Sequence, residues 1–490
     1  MADRGSAGSG SGSWRRRLGR CIGIKTDAGD PLRTPQSMPL NFDAHAARRA
    51  GVQESLVDRL TGLPSLILFV ERVGQALVRA NESGTLVAVL DINIDGFRIF
   101  NDAKGMKYGD VLLQVVADRL QETIDGSDVI SRIRADEYGV LCAPVVDEDE
   151  AFARAERILD SLKRPFVLSD GDVIVGASIG IAFNDAEISS VGIIGNAEVA
   201  LHSAKLERRS SIKVYNDEIR TQAKYRLALD TALRYALERE ELFVVFQPIA
   251  SLKDRVYVGV EALVRWDHPE LGVIGPQEFI PIAEETGLIA PIGKFVLETS
   301  CRQLQRWREI SPKANDWRMS INVSASQLKA PGFPEMISHV LGETNLSSSD
   351  LRIEVTESAL VDGEVATEVL RRLRELGVRI SIDDFGTKYS SLSYITRLPI
   401  DELKIDRSFI DDLVDNESLQ AVVSAILTIG RSLGLTVTAE GVETQAQLIQ
   451  LLMLGCDSAQ GYLFERPLSP DACFAALSSP PRPPLGQKWM

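Results

Sequence analysis

Seven short polar clusters recur in the second half of the chain, each directly after an apolar run. They are Glu261-Ala262-Leu263-Val264-Arg265, Asn322-Val323-Ser324, Glu354-Val355-Thr356-Glu357, Asp383-Asp384-Phe385-Gly386, Lys404-Ile405-Asp406, Glu440-Gly441-Val442-Glu443 and Gln460-Gly461-Tyr462. Where such clusters cap converging strands, several carboxylates meet in one place and repel unless cations neutralise them. Hard oxygen donors select Mg2+, Mn2+ or Ca2+. The adjacent pair Asp383-Asp384 can serve two ions, one carboxylate bridging and the other terminal. Two ions roughly 4 Å apart are the usual device for in-line attack on a phosphodiester. A single loop Asp or Asn is ordinarily a helix cap, and a lone EAL tripeptide carries almost no information. The ordered set is what points to a site.

The elements that position these clusters repeat a simple theme over residues 241–479. Apolar strands (Phe243–Ile249, Val258–Arg265, Met319–Val323, Leu351–Val355, Arg379–Ile382, Glu402–Ile405, Thr436–Ala439 and Gly461–Phe464) alternate with amphipathic helices. Gly377, Gly434 and Gly455 each close a helix just before the next strand, where a left-handed residue turns the chain back. Eight strands in this length match a (β/α)8 barrel, whose strand ends converge on one chemical face.

Upstream, residues 51–216 mix strand and helix signals: Leu86–Asp91, Val129–Ile133, Tyr138–Cys142, Ile174–Phe183 and Ile212–Tyr215 as strands, Asp110–Leu120 and Val199–Leu206 as helices. Arg134–Glu137 reads as the link of a hairpin, and the whole as an α+β sheet covered by helices. Residues 217–240 have helical apolar spacing and read as a connecting helix. Residues 1–50, rich in Gly, Ser, Arg and Pro, and the proline-rich residues 480–490 read as disordered tails.

The chain has 490 residues, 44% hydrophobic and 25% charged, with a net charge of −15 that argues against binding a nucleic acid polymer. Residues 1–50 carry nine Lys/Arg against four Asp, so that stretch is net +5 and the rest of the chain −20. Five scattered cysteines without CxxC spacing fit reduced thiols, and no apolar run is long enough for a membrane span. A cytoplasmic protein is the expectation.

From Phe243 to Pro467 the chain resembles the EAL family of cyclic di-GMP phosphodiesterases, through FQPI, EALVRW, NVS, EVTE, DDFGT, LKID, AEGVE and QGYLF in order. The resemblance implies a barrel whose first strand is antiparallel, two bound ions (Mg2+ or Mn2+), and hydrolysis of cyclic di-GMP to linear pGpG. It implies Glu261, Asn322, Glu354, Asp383, Asp384 and Glu440 as metal ligands, with Asp383 bridging. Glu261, Lys404 and Glu440 are then the catalytic set, Lys404 orienting the attacking water or offsetting charge on the phosphorane. Gln247, Arg265 and Gln460 lie on the substrate side, Gln460 helping to hold the metal-bound water network. Glu357 pins the loop after strand five. The family usually has glycine where Lys388 stands, in a loop that helps form its dimeric, metal-loaded state; Lys388 is therefore a candidate regulatory position and a homodimer the expected assembly.

Residues 58–216 resemble the GGDEF family of diguanylate cyclases, a nucleotidyl-cyclase palm-like fold, through Asp58-Arg59-Leu60-Thr61-Gly62-Leu63-Pro64, Asn101-Asp102 and Gly109-Asp110. The family's first metal aspartate is Asn93 here, and its signature turn is Arg134-Ala135-Asp136-Glu137-Tyr138. An amide is a poorer Mg2+ ligand than a carboxylate, and Arg134 intrudes where glycine lets the nucleotide approach. Asp125 also stands in place of the arginine of the family's inhibitory site. A domain inactive as a cyclase is expected. It either binds GTP through Asn101 and Asp110 as a regulatory ligand or only holds dimer geometry, since these two residues also suit a helix cap and a turn. A barrel that binds cyclic di-GMP without cleaving it is the alternative to the phosphodiesterase.

Overall fold

The computed structural model describes residues 56–481 apart from 170, 186, 208–209, 361–363 and 388–394. The expectations for residues 1–50, for nearly all of 480–490 and for Lys388 lie outside the described residues. The described chain forms two compact units that divide between Leu227 and Ala228, inside the helix Asp217–Ala236. That helix occupies most of the stretch read as a connector.

The N-terminal unit contains β1 (Leu86–Asp95), β2 (Val129–Arg134), β3 (Glu137–Val145), β4 (Phe166–Leu168), β5 (Gly171–Val173), β6 (Gly176–Phe183) and β7 (Ile212–Val214). Five of them make one sheet in the order β2-β3-β1-β6-β7, with β1 antiparallel to both neighbours and β6 parallel to β7. Alternation along β1 sends Ala88, Leu90, Ile92 and Ile94 to one face, against Leu112, Val116 and Ile158. Val87 and Val89 face the other way, against Phe69, Val73 and Ala197 of the helices Leu66–Ser83 and Ser190–Glu207. The strand expected over Ile174–Phe183 is corrected: the chain makes the small hairpin β4–β5 first and starts β6 at Gly176. A Cβ at Gly176 would meet Ser210 Oγ at 2.4 Å and Asp95 at 2.9 Å, so glycine lets the strand begin beside these side chains. The link between β2 and β3 is also tighter than expected, because Arg134 and Glu137 already pair across the ladder.

The second unit contains β8 (Leu242–Ser251), β9 (Val256–His268), β10 (Gly272–Ile274), β11 (Arg318–Asn322), β12 (Leu351–Thr356), β13 (Arg379–Phe385), β14 (Glu402–Ile405), β15 (Thr436–Ala439) and β16 (Ser458–Ala459). The seven strands β9 and β11 to β16 run parallel from neighbour to neighbour. β8 is antiparallel to both β9 and β16 and closes the eight-stranded barrel. β10 folds back on the end of β9. The expected eighth strand Gly461–Phe464 is corrected to Ser458–Ala459. Gly461 lies so close to Val442 that a Cβ would fall 2.2 Å from its carbonyl oxygen, and Leu463 N–H bonds that oxygen at 2.9 Å. The QGYLF segment is therefore a turn laid on the loop after β15. The glycine closures hold: Gly434 and Gly455 cap their helices at φ 70° and 78°, and Gly377 has φ 93°.

Helix starts fix two of the rim loops. Thr444 Oγ1 accepts from Gln447 N at 3.2 Å while Gln447 Oε1 accepts from Thr444 N at 2.8 Å, a reciprocal cap that sets where the loop carrying Glu440 ends. Ser324 and Gln327 do the same directly after Asn322. Trp266, Phe279, Trp307 and Phe246 fill the layer between barrel wall and helices, Phe246 and Trp307 meeting edge to face at 5.1 Å.

Candidate active site

In a barrel every second residue of a strand points inward. Register ties these inward rows together: Glu261 pairs with Ser320, Asn322 with Glu354, Glu354 with Ser381, and Ser381 with Glu402. The upper members of the rows form one cluster around Lys404. Its Nζ lies 2.5 Å from Glu440 Oε1, 2.6 Å from Glu354 Oε2, 3.3 Å from Asp383 Oδ1 and 3.5 Å from Glu261 Oε2, and the side chain is 1% exposed. Burial pulls the ammonium down, but Asp383, Glu261, Glu354 and Glu440 override it and hold its pKa well above the ordinary value.

The carboxylates respond unequally. Burial raises Glu261, yet Lys404 and hydrogen bonds from Gln460 and Asn322 leave it below its usual range. Glu354 is pushed up to about 8, by burial first and then by Glu261 and Asp383 working against Lys404. Burial drives Glu440 up as well, and Asp384 rises to about 6 through burial, Asp383 and Asp406. One ammonium cannot balance Glu261, Glu354, Asp383, Asp384 and Glu440. Glu354 Oε1 is buried without a hydrogen-bond partner, and Asp383, Asp384 and Glu440 each bring an oxygen within 4.8 Å of the others. Surplus negative charge, an orphaned carboxylate oxygen and an all-oxygen donor set fit divalent cations. Asp384 holds this position at φ 54°, a conformation unusual for a side-chain-bearing residue.

A second polar chain flanks the cluster. Gln460 Nε2 donates to Glu261 Oε2 at 2.7 Å and to Gln247 Oε1 at 3.0 Å, and Gln247 Nε2 donates to the Glu465 carbonyl at 3.1 Å. Asn322 Nδ2 donates to Glu261 Oε1 at 2.6 Å. Arg265 is half-buried, bonds only its neighbour's carbonyl, and makes no ion pair among the described residues. Glu357 Oε2 accepts from Gly386 N at 3.2 Å, which ties the residue after β12 to the end of β13. A cleft of ≈ 530 Å3 adjoins Asn322 and Glu354 and is walled by Ile280, Ile292 and Glu284. Nothing local in the sequence marks Glu284, which lines this cleft; burial raises its pKa.

In the N-terminal unit, Asn101 and Asp110 lie inside the helices Phe97–Lys104 and Met106–Thr123, which corrects the cap-and-turn reading. Asn101 Oδ1 is buried without a partner, and a Cβ at Gly109 would fall 1.8 Å from it, so glycine at 109 makes room for this amide. At the hairpin turn, Arg134 pairs with Glu198 at 2.5 Å and Glu137 at 3.1 Å. Asp95 accepts from Ser178 Oγ at 2.9 Å and Ser210 N at 2.8 Å. Asp128 and Asp125 both pair with Arg154, at 2.6 and 3.5 Å.

Residues 230–467 match the profile of the EAL domain, and residues 55–211 match the profile described as diguanylate cyclase, GGDEF domain. The chain belongs to the GGDEF–EAL family. This GGDEF–EAL chain is 40% identical over 435 residues to the bifunctional diguanylate cyclase/cyclic di-GMP phosphodiesterase MucR of Pseudomonas aeruginosa, across 88% of this chain and 63% of that one. It is 37% identical over 428 residues to the cyclic di-GMP phosphodiesterase NbdA of the same organism, across 87% and 54%. Among solved structures, the EAL enzyme Bd1971 with cAMP and cyclic di-GMP bound matches with a TM-score of 0.51 at 28% identity, over 63% of this chain and 82% of that one. The chain spans about half to two thirds of the length of these curated relatives. No helix among the described residues is long and apolar enough to cross a membrane.

Proposed function

We propose that the EAL barrel hydrolyses cyclic di-GMP to linear pGpG, with water adding across one P–O3′ bond, and that the N-terminal unit is an inactive cyclase that binds GTP and regulates the barrel. The observation that carries the reading is the gathering of four carboxylates around one buried ammonium at the rim of the barrel, with Asp384 beside two of them. Names of relatives such as NbdA support the same substrate. Glu261, Asn322, Glu354, Asp383, Asp384 and Glu440 would hold two divalent ions, Mg2+ or Mn2+, which supply charge neutralisation and a more acidic water when bound. Lys404 offsets charge developing on the phosphorane oxygens. The unpaired guanidinium of Arg265 takes a phosphate oxygen of the substrate. Gln460 and Gln247 keep Glu261 oriented, and the buried, partnerless Gln460 Oε1 offers an acceptor toward water or substrate.

For the N-terminal unit, the partnerless Asn101 amide oxygen and the exposed Asp110 support a guanine contact. Arg134 held by Glu198 and Glu137, with Asn93 in the first metal position, supports the loss of cyclase activity.

Turnover of cyclic di-GMP by the purified chain with Mg2+ or Mn2+, with and without GTP, tests both parts by chromatography of pGpG. Metal-dependent pGpG that rises on adding GTP is the expected result. Bound but uncleaved cyclic di-GMP under every condition would replace the enzyme by a receptor.

A further inference from the structure

The inward rows that carry carboxylates at one end of the barrel carry arginines at the other. Two-residue steps lead from Asn322 through Ser320 to Arg318 on β11, from Glu354 to Arg352 on β12, and from Asp383 through Ser381 to Arg379 on β13. Arg352 is the register partner of both Ser320 and Arg379. Three adjacent strands thus bring guanidinium groups to the barrel mouth opposite the rim.

The carboxylates near this mouth are already engaged. Glu402 Oε2 pairs with Arg352 Nη1 at 2.7 Å, and its Oε1 accepts from Thr438 at 2.7 Å. Asp350 pairs with Arg308 at 2.5 Å. Asp401 pairs with Arg374 at 3.3 Å and accepts from Ile380 N at 3.0 Å. Arg318 and Arg379, both half-buried, are left with no side-chain hydrogen bond or ion pair among the described residues. Arg352 is only 8% exposed, yet its Nε is buried without a partner. Burial lowers the pKa of Arg318, Arg379 and Arg352 lower it further, and Glu402 and Asp350 oppose them in part. A solvated basic face would leave such side chains exposed; here the strands hold them together with donors unspent.

The geometry points to a phosphate-binding site at this mouth, formed by Arg318, Arg352 and Arg379. Three guanidinium groups against the single carboxylate of Glu402 leave two positive charges, which matches a phosphate dianion. The planar donor pairs suit its oxygens. The dianion is either inorganic phosphate or the terminal group of a nucleoside monophosphate.

Melting of the full chain in EDTA tests this site, with phosphate or GMP titrated against NaCl at matched ionic strength and 31P line broadening as a direct readout of binding. Wild type is expected to melt higher and to broaden the ligand signal. The double variant Arg318→Gln/Arg379→Gln is expected to lose both effects, its affinity falling at least about tenfold. Because neither arginine has an internal partner, that variant is expected to fold and, without ligand, to melt no lower than wild type. A response to GMP alone assigns the site to the nucleotide group, and a response to both ligands assigns it to phosphate itself. No response of wild type to either ligand overturns the site, as does an unchanged response in the double variant, which would place the anion elsewhere.

Discussion

Lys404 Nζ and Glu354 Oε2 lie 2.6 Å apart in the closed interior of the barrel, where neither group is exposed by more than 1%. The ammonium thus neutralises part of the charge that divalent ions would otherwise balance. Replacing it by methionine keeps length and removes charge. Lys404→Met is expected to lower turnover about a thousandfold while Mn2+ binds as tightly as before or more so, because a competing cation has gone. Mn2+ titration followed by paramagnetic resonance, beside pGpG formation, separates the two effects. Joint loss of metal and turnover would show instead that Lys404 organises the ligands.

Glu357 acts through Gly386. Its carboxylate holds the backbone at the end of β13, two residues from Asp384. Glu357→Ala is expected to weaken Mn2+ binding about tenfold, and Glu357→Gln, which keeps an acceptor oxygen, to restore most of it. Equal losses in both variants would rule out the hydrogen bond as the cause.

Asn101→Ala should abolish stimulation by GTP and leave basal turnover unchanged. The readout is pGpG formation across a GTP titration; stimulation that survives the substitution would dissociate it from the guanine contact.

Asp91 gives the N-terminal unit a pH dependence. It is 2% exposed, and burial, then Glu137 and Glu198, raise its carboxyl from 3.8 to about 7. The unfolded chain ionises this group near 3.8 while the folded chain keeps it protonated, so its contribution to stability is full below that value. That contribution is lost as pH rises toward 7, by up to about 4 kcal/mol at 1.4 kcal/mol per unit. Asp91→Asn should melt with wild type near pH 4 and distinctly above it at pH 8, in calorimetric scans of the full chain. A constant difference across that range would mean Asp91 titrates normally.

What the sequence revealed depended on whether a signal was local. The polar residues of the rim were legible because each sits at the end of an apolar run, and strands such as Glu402–Ile405 and Thr436–Ala439 coincide with their expected bounds. The eighth strand was misplaced by a few residues, since Gly461 to Phe464 is apolar enough to suggest a strand but is held as a turn by its contact with Val442. Nothing local marked Glu198 as the partner of Arg134, because the two are 64 positions apart. The LKID segment marks Lys404 as a site residue, but its place at the centre of four carboxylates arises from register between strands. The arginines at the opposite mouth carry no local signal for the same reason: each is an ordinary residue near a strand start until the strands stand side by side.

The reversed direction of β8 has a mechanical consequence. Leu242, its first residue, pairs with Trp266, so the chain enters the barrel beside Arg265 and the rim instead of at the far mouth. Glu241 fastens that point twice, accepting from Asp267 N at 2.8 Å and from Trp266 Nε1 at 2.9 Å. Tension on the preceding helix would be delivered first to the strand pair that carries Gln247 and Glu261. The leash and the rim are one piece of backbone, only a few residues long.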